Sequence, residues 1–139
     1  MYEYNCKIRR VVDGDTIDLD IDLGFGHWIH GERIRLFGVD CPECRSRDPK
    51  EKAAGLAAKD FVKKLLHDGG TYTLTTKEKG KFGRYLGTIK IADDTNLTVN
   101  GALVSERFAV AYWGQSKEQI KKAHQANYEY LKEKGIIDG

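Results

Sequence analysis

The sequence holds no apolar run approaching the roughly 20 residues that a membrane-spanning helix needs, so no membrane partner is expected. It has only three cysteines, Cys6, Cys41 and Cys44. An odd number in a chain of this size argues against a disulfide framework. Its first residues, from Met1 to Lys7, lack the apolar segment of a secretory leader. The expected compartment is therefore a reducing cytoplasm, or the exterior if a leader has been removed. Strong net charge is missing as well: 23 basic residues against 21 acidic ones leave +2. That is a weak lean toward anionic partners and no nucleic-acid signature by itself. There is no repeat, linker or low-complexity stretch. The 139 residues are expected to form one domain, monomeric, with a single core that needs no covalent staples.

What is present is pattern. In residues 16–23, Ile17, Leu19, Ile21 and Leu23 alternate with Asp18, Asp20 and Asp22, a period of two that predicts a strand with one wet face. Tyr2, Tyr4, Cys6 and Ile8 alternate more weakly in a first strand, and Asp13-Gly14 is a turn between the two. Residues 28–39 predict a third strand, with Ile34 and Leu36 inward and Arg33 and Arg35 on the opposite face. The period then changes. Asp48-Pro49-Lys50-Glu51 carries an N-cap, a proline at the first helical position and an acid behind it. Ala54, Ala58, Phe61 and Leu65 follow at helical spacing, up to Gly69-Gly70. Strands over about 71–77 and 85–92 come next, joined by the basic loop from Lys79 to Gly83. A short helix over 99–106 and a last helix capped by Ser116 with Gln119, running to about Lys134, complete the chain. Five short strands with an intervening helix predict an α+β fold dominated by a five-stranded Greek-key barrel of the oligonucleotide/oligosaccharide-binding type, with three helices.

Phosphodiester hydrolysis needs a neutralised phosphate, a positioned and deprotonated water, and donors for the charge of the transition state. Hard cations held by carboxylates serve the first need, a carboxylate beside the water the second, and arginine forks the third. The chain offers Asp15 at the start of the second strand and Asp40 at the end of the third. It also offers Glu43 behind Pro42, Arg35 on the third strand, and Arg84 after a glycine-containing basic loop. Taken singly, each has an ordinary reading as a capped turn, a surface ion pair or a solvated charge.

As a set they carry a resemblance. Val12-Asp13-Gly14-Asp15-Thr16, then Arg35-Leu36-x-Gly38-Val39-Asp40-x-Pro42-Glu43, then Phe82-Gly83-Arg84-x-Leu86-Gly87 resemble, in order, the three signature blocks of the staphylococcal nuclease-like (thermonuclease) domain. The Lys63-Lys64 helix, Ala102-Leu103-Val104 and Ala111-Tyr112 are similar to its other segments, so the likeness runs over nearly the whole chain. Three ordered blocks are a specific signal where one would be weak. The resemblance implies a calcium-dependent nuclease of DNA and RNA, preferring single strands, that cuts at the 5′ oxygen and leaves 3′-phosphates. It makes Asp15 and Asp40 the metal carboxylates, with magnesium a less favoured ion, and the backbone carbonyl of Cys41 a further ligand. It makes Glu43 the residue that activates or orients water, and Arg35 and Arg84 the pair that holds the phosphate. Asp13 is implied as a nearby acid behind the ligands. Lys81, Phe82 and Tyr112 are weaker substrate contacts, by charge and by stacking. The chain departs from the family pattern in Cys41 for threonine, in Phe82 for tyrosine and in the absence of an acid before Phe82.

Two other classes compete. Cys41-Pro42-Glu43-Cys44 with His27 and His30 could be a zinc or redox site, but histidines three apart on a strand point to opposite faces. A non-catalytic single-strand-binding barrel is the other, though such modules lack several of the five inferred catalytic groups. An EF-hand on Asp18, Asp20 and Asp22 fails, because Leu23 stands at its glycine position and Ile29 at its closing glutamate.

Overall fold

A computed structural model of the chain describes residues 2–79, 85–92 and 96–137. The alternating segments form β1 (Tyr2–Asp13), β2 (Thr16–Gly24) and β3 (His27–Leu36). Consecutive strands pair antiparallel, with Ile8 opposite Leu19 and Ile17 opposite Ile34. After a helix α1 (Pro49–Leu65), the chain returns in β5 (Thr71–Lys79) and β6 (Tyr85–Lys90). β5 pairs with β1, and β6 runs parallel to β3, so the sheet closes as β1-β2-β3-β6-β5. Closure leaves these strands no free edge. The fold is the expected barrel with helices α1, α2 (Val99–Ser105) and α3 (Lys117–Glu133). Ile8, Leu19, Ile34, Leu74 and Ile89 are fully buried, in one cluster with Val62 and Leu66 from the α1 end and Leu103 of α2.

The helix boundaries follow the local chemistry. The Asp48 side chain accepts a hydrogen bond from the Lys50 amide at 3.1 Å, with Pro49 opening the helix behind it. Ser116 and Gln119 cap α3 reciprocally. α1 ends at Leu65, short of the expected stop at Gly69-Gly70. The backbones of Gly69 and Gly70 are instead bonded to Ile8, at 2.8 and 3.0 Å, so the chain has already turned to join β1.

Two expectations are corrected. The third strand does not run to residue 39. It ends at Leu36, and Gly38 adopts a positive φ of 77°, a conformation other residues rarely take. The turn frees a two-residue strand β4 (Val39–Asp40) to pair with β7 (Val110–Ala111) in a separate small sheet. Asp40 therefore stands outside the barrel sheet. The acids of β2 are also not uniformly wet: Asp20 is 3 % exposed. Its carboxylate is held by Arg9 at 2.7 Å, His30 at 3.3 Å and the Gly31 amide at 2.8 Å. Burial pushes its pKa up, but these three donors outweigh it and hold the group below its ordinary value.

Asn100, on α2, ties the barrel rim together. Its amide donates to the carbonyls of Phe37 at 2.9 Å and Gly87 at 3.1 Å and accepts from the Ile89 amide at 3.3 Å. The turn leading to Asp40 is thus fastened to β6 by a side chain nine-tenths buried.

Candidate active site

Asp15 lies in the tight turn between β1 and β2, one residue before β2 begins, and is 6 % exposed. Its carboxylate accepts from the Cys41 amide at 3.0 Å and the Thr16 hydroxyl at 3.2 Å. Arg35, near the end of β3 and opposite Thr16, extends one guanidinium nitrogen to both acids: 3.7 Å to Asp15 Oδ2 and 3.2 Å to Asp40 Oδ1. Asp15, before β2, and Asp40, of the small second sheet, are joined across this one cation. Burial raises the Asp15 pKa. The Cys41 amide and Arg35 oppose that rise, and the Asp40 charge adds to it. The net rise means that burial outweighs the hydrogen bond and the Arg35 charge that favour the ionised form.

The second oxygen of Asp40 meets a residue that sequence reasoning missed. His124 Nε2, on α3, lies 2.7 Å from Asp40 Oδ2. The signal was faint: His124 falls at helical spacing with Tyr128 and Leu131, the buried face of α3, where a histidine reads as packing.

Glu43 sits in the irregular segment after Pro42, with its side chain exposed and, among the described residues, in no hydrogen bond. It shares a groove of about 420 Å³ with Asp40, Lys121, His124 and Tyr128. Gly55 of α1 sets the position of this segment. A Cβ there would come within 2.6 Å of the Cys44 amide nitrogen and 2.7 Å of the Glu43 carbonyl oxygen, both backbone atoms. Alanine ordinarily stabilises a helix interior by about 1 kcal/mol over glycine. Here Gly55→Ala is expected to destabilise by about 1–3 kcal/mol, the usual cost of overpacking. Thermal unfolding reads this; a melting temperature equal to or above that of the unmodified protein would show that the segment yields freely.

Asp13 touches neither Asp15 nor Asp40 in a hydrogen bond; it accepts from Cys44 instead, at 2.7 Å from Sγ and 3.4 Å from the amide. It thereby fastens the far end of the Cys41–Cys44 turn. Burial, then the hydrogen bond to Asp13 and its charge, raise the Cys44 thiol, and burial and then Asp15 raise Cys41 well above its ordinary range. Both are free and buried, the environment of unreactive thiols. His30 is engaged with Asp20 and Cys44 with Asp13, so two of the four residues of the zinc reading are held by other partners. Among the described residues no three His, Cys, Asp or Glu side chains gather as a metal set. Two carboxylates are what does converge, and hard cations that retain waters accept such a set. Tyr112 is 47 % exposed, so it is not a core ring, and its amide donates to the Gly38 carbonyl at 2.8 Å, beside the turn before Asp40. Trp113 next to it is 75 % exposed. Lys81, Phe82 and Arg84 lie outside the described residues. Leu86, two positions after Arg84, pairs with Arg35.

A closed five-stranded barrel with paired carboxylates bridged by an arginine at its rim is an oligonucleotide-binding-type barrel carrying an acid–arginine site. The chain belongs to the staphylococcal nuclease homologue family, whose sequence model matches residues 33–135. It is 36 % identical over 88 residues to a thermonuclease of Staphylococcus intermedius, covering 63 % of this chain and 49 % of that protein. It is 31 % identical over 133 residues to endonuclease YhcR of Bacillus subtilis, covering 89 % of this chain and 10 % of that much longer protein. A thermonuclease of Staphylococcus hyicus is 29 % identical over 129 residues, with 92 % and 65 % covered. The chain thus spans about half the length of the first of these relatives. Among the described residues no helix is long and apolar enough to cross a membrane.

Proposed function

We propose that this chain is a metal-dependent nuclease that hydrolyses phosphodiester bonds of DNA or RNA, with single strands favoured. The observation that carries the proposal is the convergence of Asp15, which is buried, and Asp40 on one guanidinium nitrogen of Arg35. A buried acid whose ionised form is penalised first by burial and further by a second acid is relieved by a bound cation. A phosphate, in turn, meets an arginine that already reaches both acids. Asp15 and Asp40 would hold one hard divalent ion, calcium by preference, with the Cys41 carbonyl as a further ligand. When bound, that ion supplies charge neutralisation at a phosphate oxygen.

The chain's own groups do the remaining work. Arg35 and Arg84 bind the phosphate and the charge that develops on it. Glu43, exposed in the groove beside Asp40, aligns the attacking water and takes its proton. Attack is in line with the departing 5′ oxygen, which leaves a 3′-phosphate. Tyr112 and Lys81 contact the neighbouring nucleotides through a ring face and a charge. The names of the relatives, thermonuclease and endonuclease, support the same class of reaction.

The test is incubation with denatured DNA in calcium, in magnesium and with chelator, followed by identification of the product ends. Cleavage to 3′-phosphate ends that stops on chelation is the expected result. Tight binding of the strand with no cleavage in either metal would sink the proposal and make the chain a binding module.

A further inference from the structure

We propose that His124 is a positioning residue for Asp40, holding that carboxylate in the orientation a metal ion requires; the inference rests on the proposed nuclease reading. Asp40 belongs to a strand of only two residues, so its backbone has little sheet to stiffen it. Its side chain is gripped at two points by two different elements. Oδ1 faces Arg35 of β3 at 3.2 Å, and Oδ2 faces His124 of α3 at 2.7 Å. An ionised carboxylate can only accept, so Nε2 is the donor of the shorter contact.

The alternative to this arrangement is plain. Arginine and carboxylate favour a two-pronged pair, each oxygen on its own guanidinium nitrogen. If Asp40 closed onto Arg35 that way, its oxygens would be turned to the guanidinium, and Arg35 would lose donors for phosphate. His124 prevents the closure by retaining Oδ2. The histidine can do this because α3 is itself held in place. Tyr128 and Leu131 are buried in the core, and Asn127 bonds the Ala109 carbonyl at 3.2 Å and Arg107 at 2.9 Å.

The other ring nitrogen sharpens the point. His124 Nδ1 is buried and, among the described residues, has no hydrogen-bond partner. A buried unpartnered polar atom is a cost that an aliphatic side chain of similar size would not incur. Packing alone therefore does not account for a histidine here, whereas the Nε2 contact does. Hydrogen-bonded groups behind ligating carboxylates typically change metal affinity about ten- to a hundredfold when removed.

The test uses the full chain and calcium titrated by calorimetry, with His124→Leu, His124→Gln, His124→Asn and Asp40→Asn as variants. Glutamine places an amide donor near the Nε2 position, and asparagine places it a bond short. His124→Leu and His124→Asn are expected to weaken calcium binding about ten- to a hundredfold, with His124→Gln recovering most of it. In DNA cleavage the same two variants are expected to raise KM, through lost Arg35 donors, with the glutamine variant again restored. If His124→Leu does not fold, as judged by circular dichroism, the glutamine-against-asparagine comparison decides alone. Leucine or asparagine variants that bind calcium like the unmodified protein would overturn the inference while leaving the nuclease reading intact. An unmodified protein that binds no calcium, matches Asp40→Asn and cleaves DNA in neither calcium nor magnesium would overturn both.

Discussion

The Glu43→Gln protein is expected to cleave denatured DNA about a hundred- to ten-thousandfold more slowly than the unmodified chain, the usual loss when a positioned general base is removed. Glutamine keeps the shape and the capacity to hydrogen-bond but cannot take a proton. The site makes this a clean comparison. Among the described residues the Glu43 side chain forms no hydrogen bond, and it is exposed in the groove. Its backbone is set by Pro42 and by contact with Gly55, neither of which the change touches. The melting temperature should therefore stay within the small range typical of surface substitutions, about 0.5 kcal/mol in stability. A variant with the full cleavage rate would remove Glu43 from the mechanism. A variant that is slow but also much less stable would point to a structural part for the side chain instead.

Asp15→Asn is expected to abolish metal-dependent cleavage and at the same time to stabilise the metal-free protein at neutral pH. The Asp15 carboxyl has its folded pKa raised above the ordinary 3.8, first by burial and then by Asp40. A folded carboxyl that holds its proton more tightly than the unfolded one favours folding when protonated. Its contribution is thus most favourable below the unfolded value of 3.8 and is lost as pH rises through the raised folded value. At pH 7 the cost of burying the charge is fully present. Asparagine removes that charge, can still accept from the Cys41 amide, and can donate to the Thr16 hydroxyl oxygen. Gains from relieving a functional site are commonly about 1 kcal/mol, or roughly 3–5 °C in melting temperature at this chain length. The gain should shrink as pH falls through the raised folded value and be gone below the unfolded value of 3.8, where Asp15 is neutral in both states. Calcium should raise the melting temperature of the unmodified protein and not that of the variant. Loss of stability in metal-free Asp15→Asn at pH 7 would mean that the charged hydrogen bonds from Cys41 and Thr16 outweigh burial.

Where a signal was local, the sequence carried it. The alternation of Ile17, Leu19 and Ile21 reports a strand because side chains on a strand alternate between faces. Asp48-Pro49 and Ser116 with Gln119 mark helix starts because a helix's first amides need side-chain acceptors. Asp15, Arg35, Asp40 and Glu43 were legible as a set through their resemblance to ordered family blocks. The small sheet of β4 and β7 was not legible, since two-residue strands have no period to detect and their pairing joins residues some 70 apart. The buried state of Asp20 was hidden for a related reason. In the pattern it is one more acid on a wet face, and only Arg9, His30 and the Gly31 amide, brought from two other stretches, make its burial tolerable.

The sequence by itself thus determined the barrel with its helices and the residues proposed for its site. These rest on interactions within a few residues or on motifs that keep their order along the chain. Only the tertiary structure decided that Asp15 and Asp40 share one nitrogen of Arg35, that Asp40 leaves the barrel at Gly38, and that His124 stands behind it. Each is a contact between elements distant in the chain, fixed by closing the barrel and packing α3 against α1 and β7, and no local pattern encodes a distance of that kind.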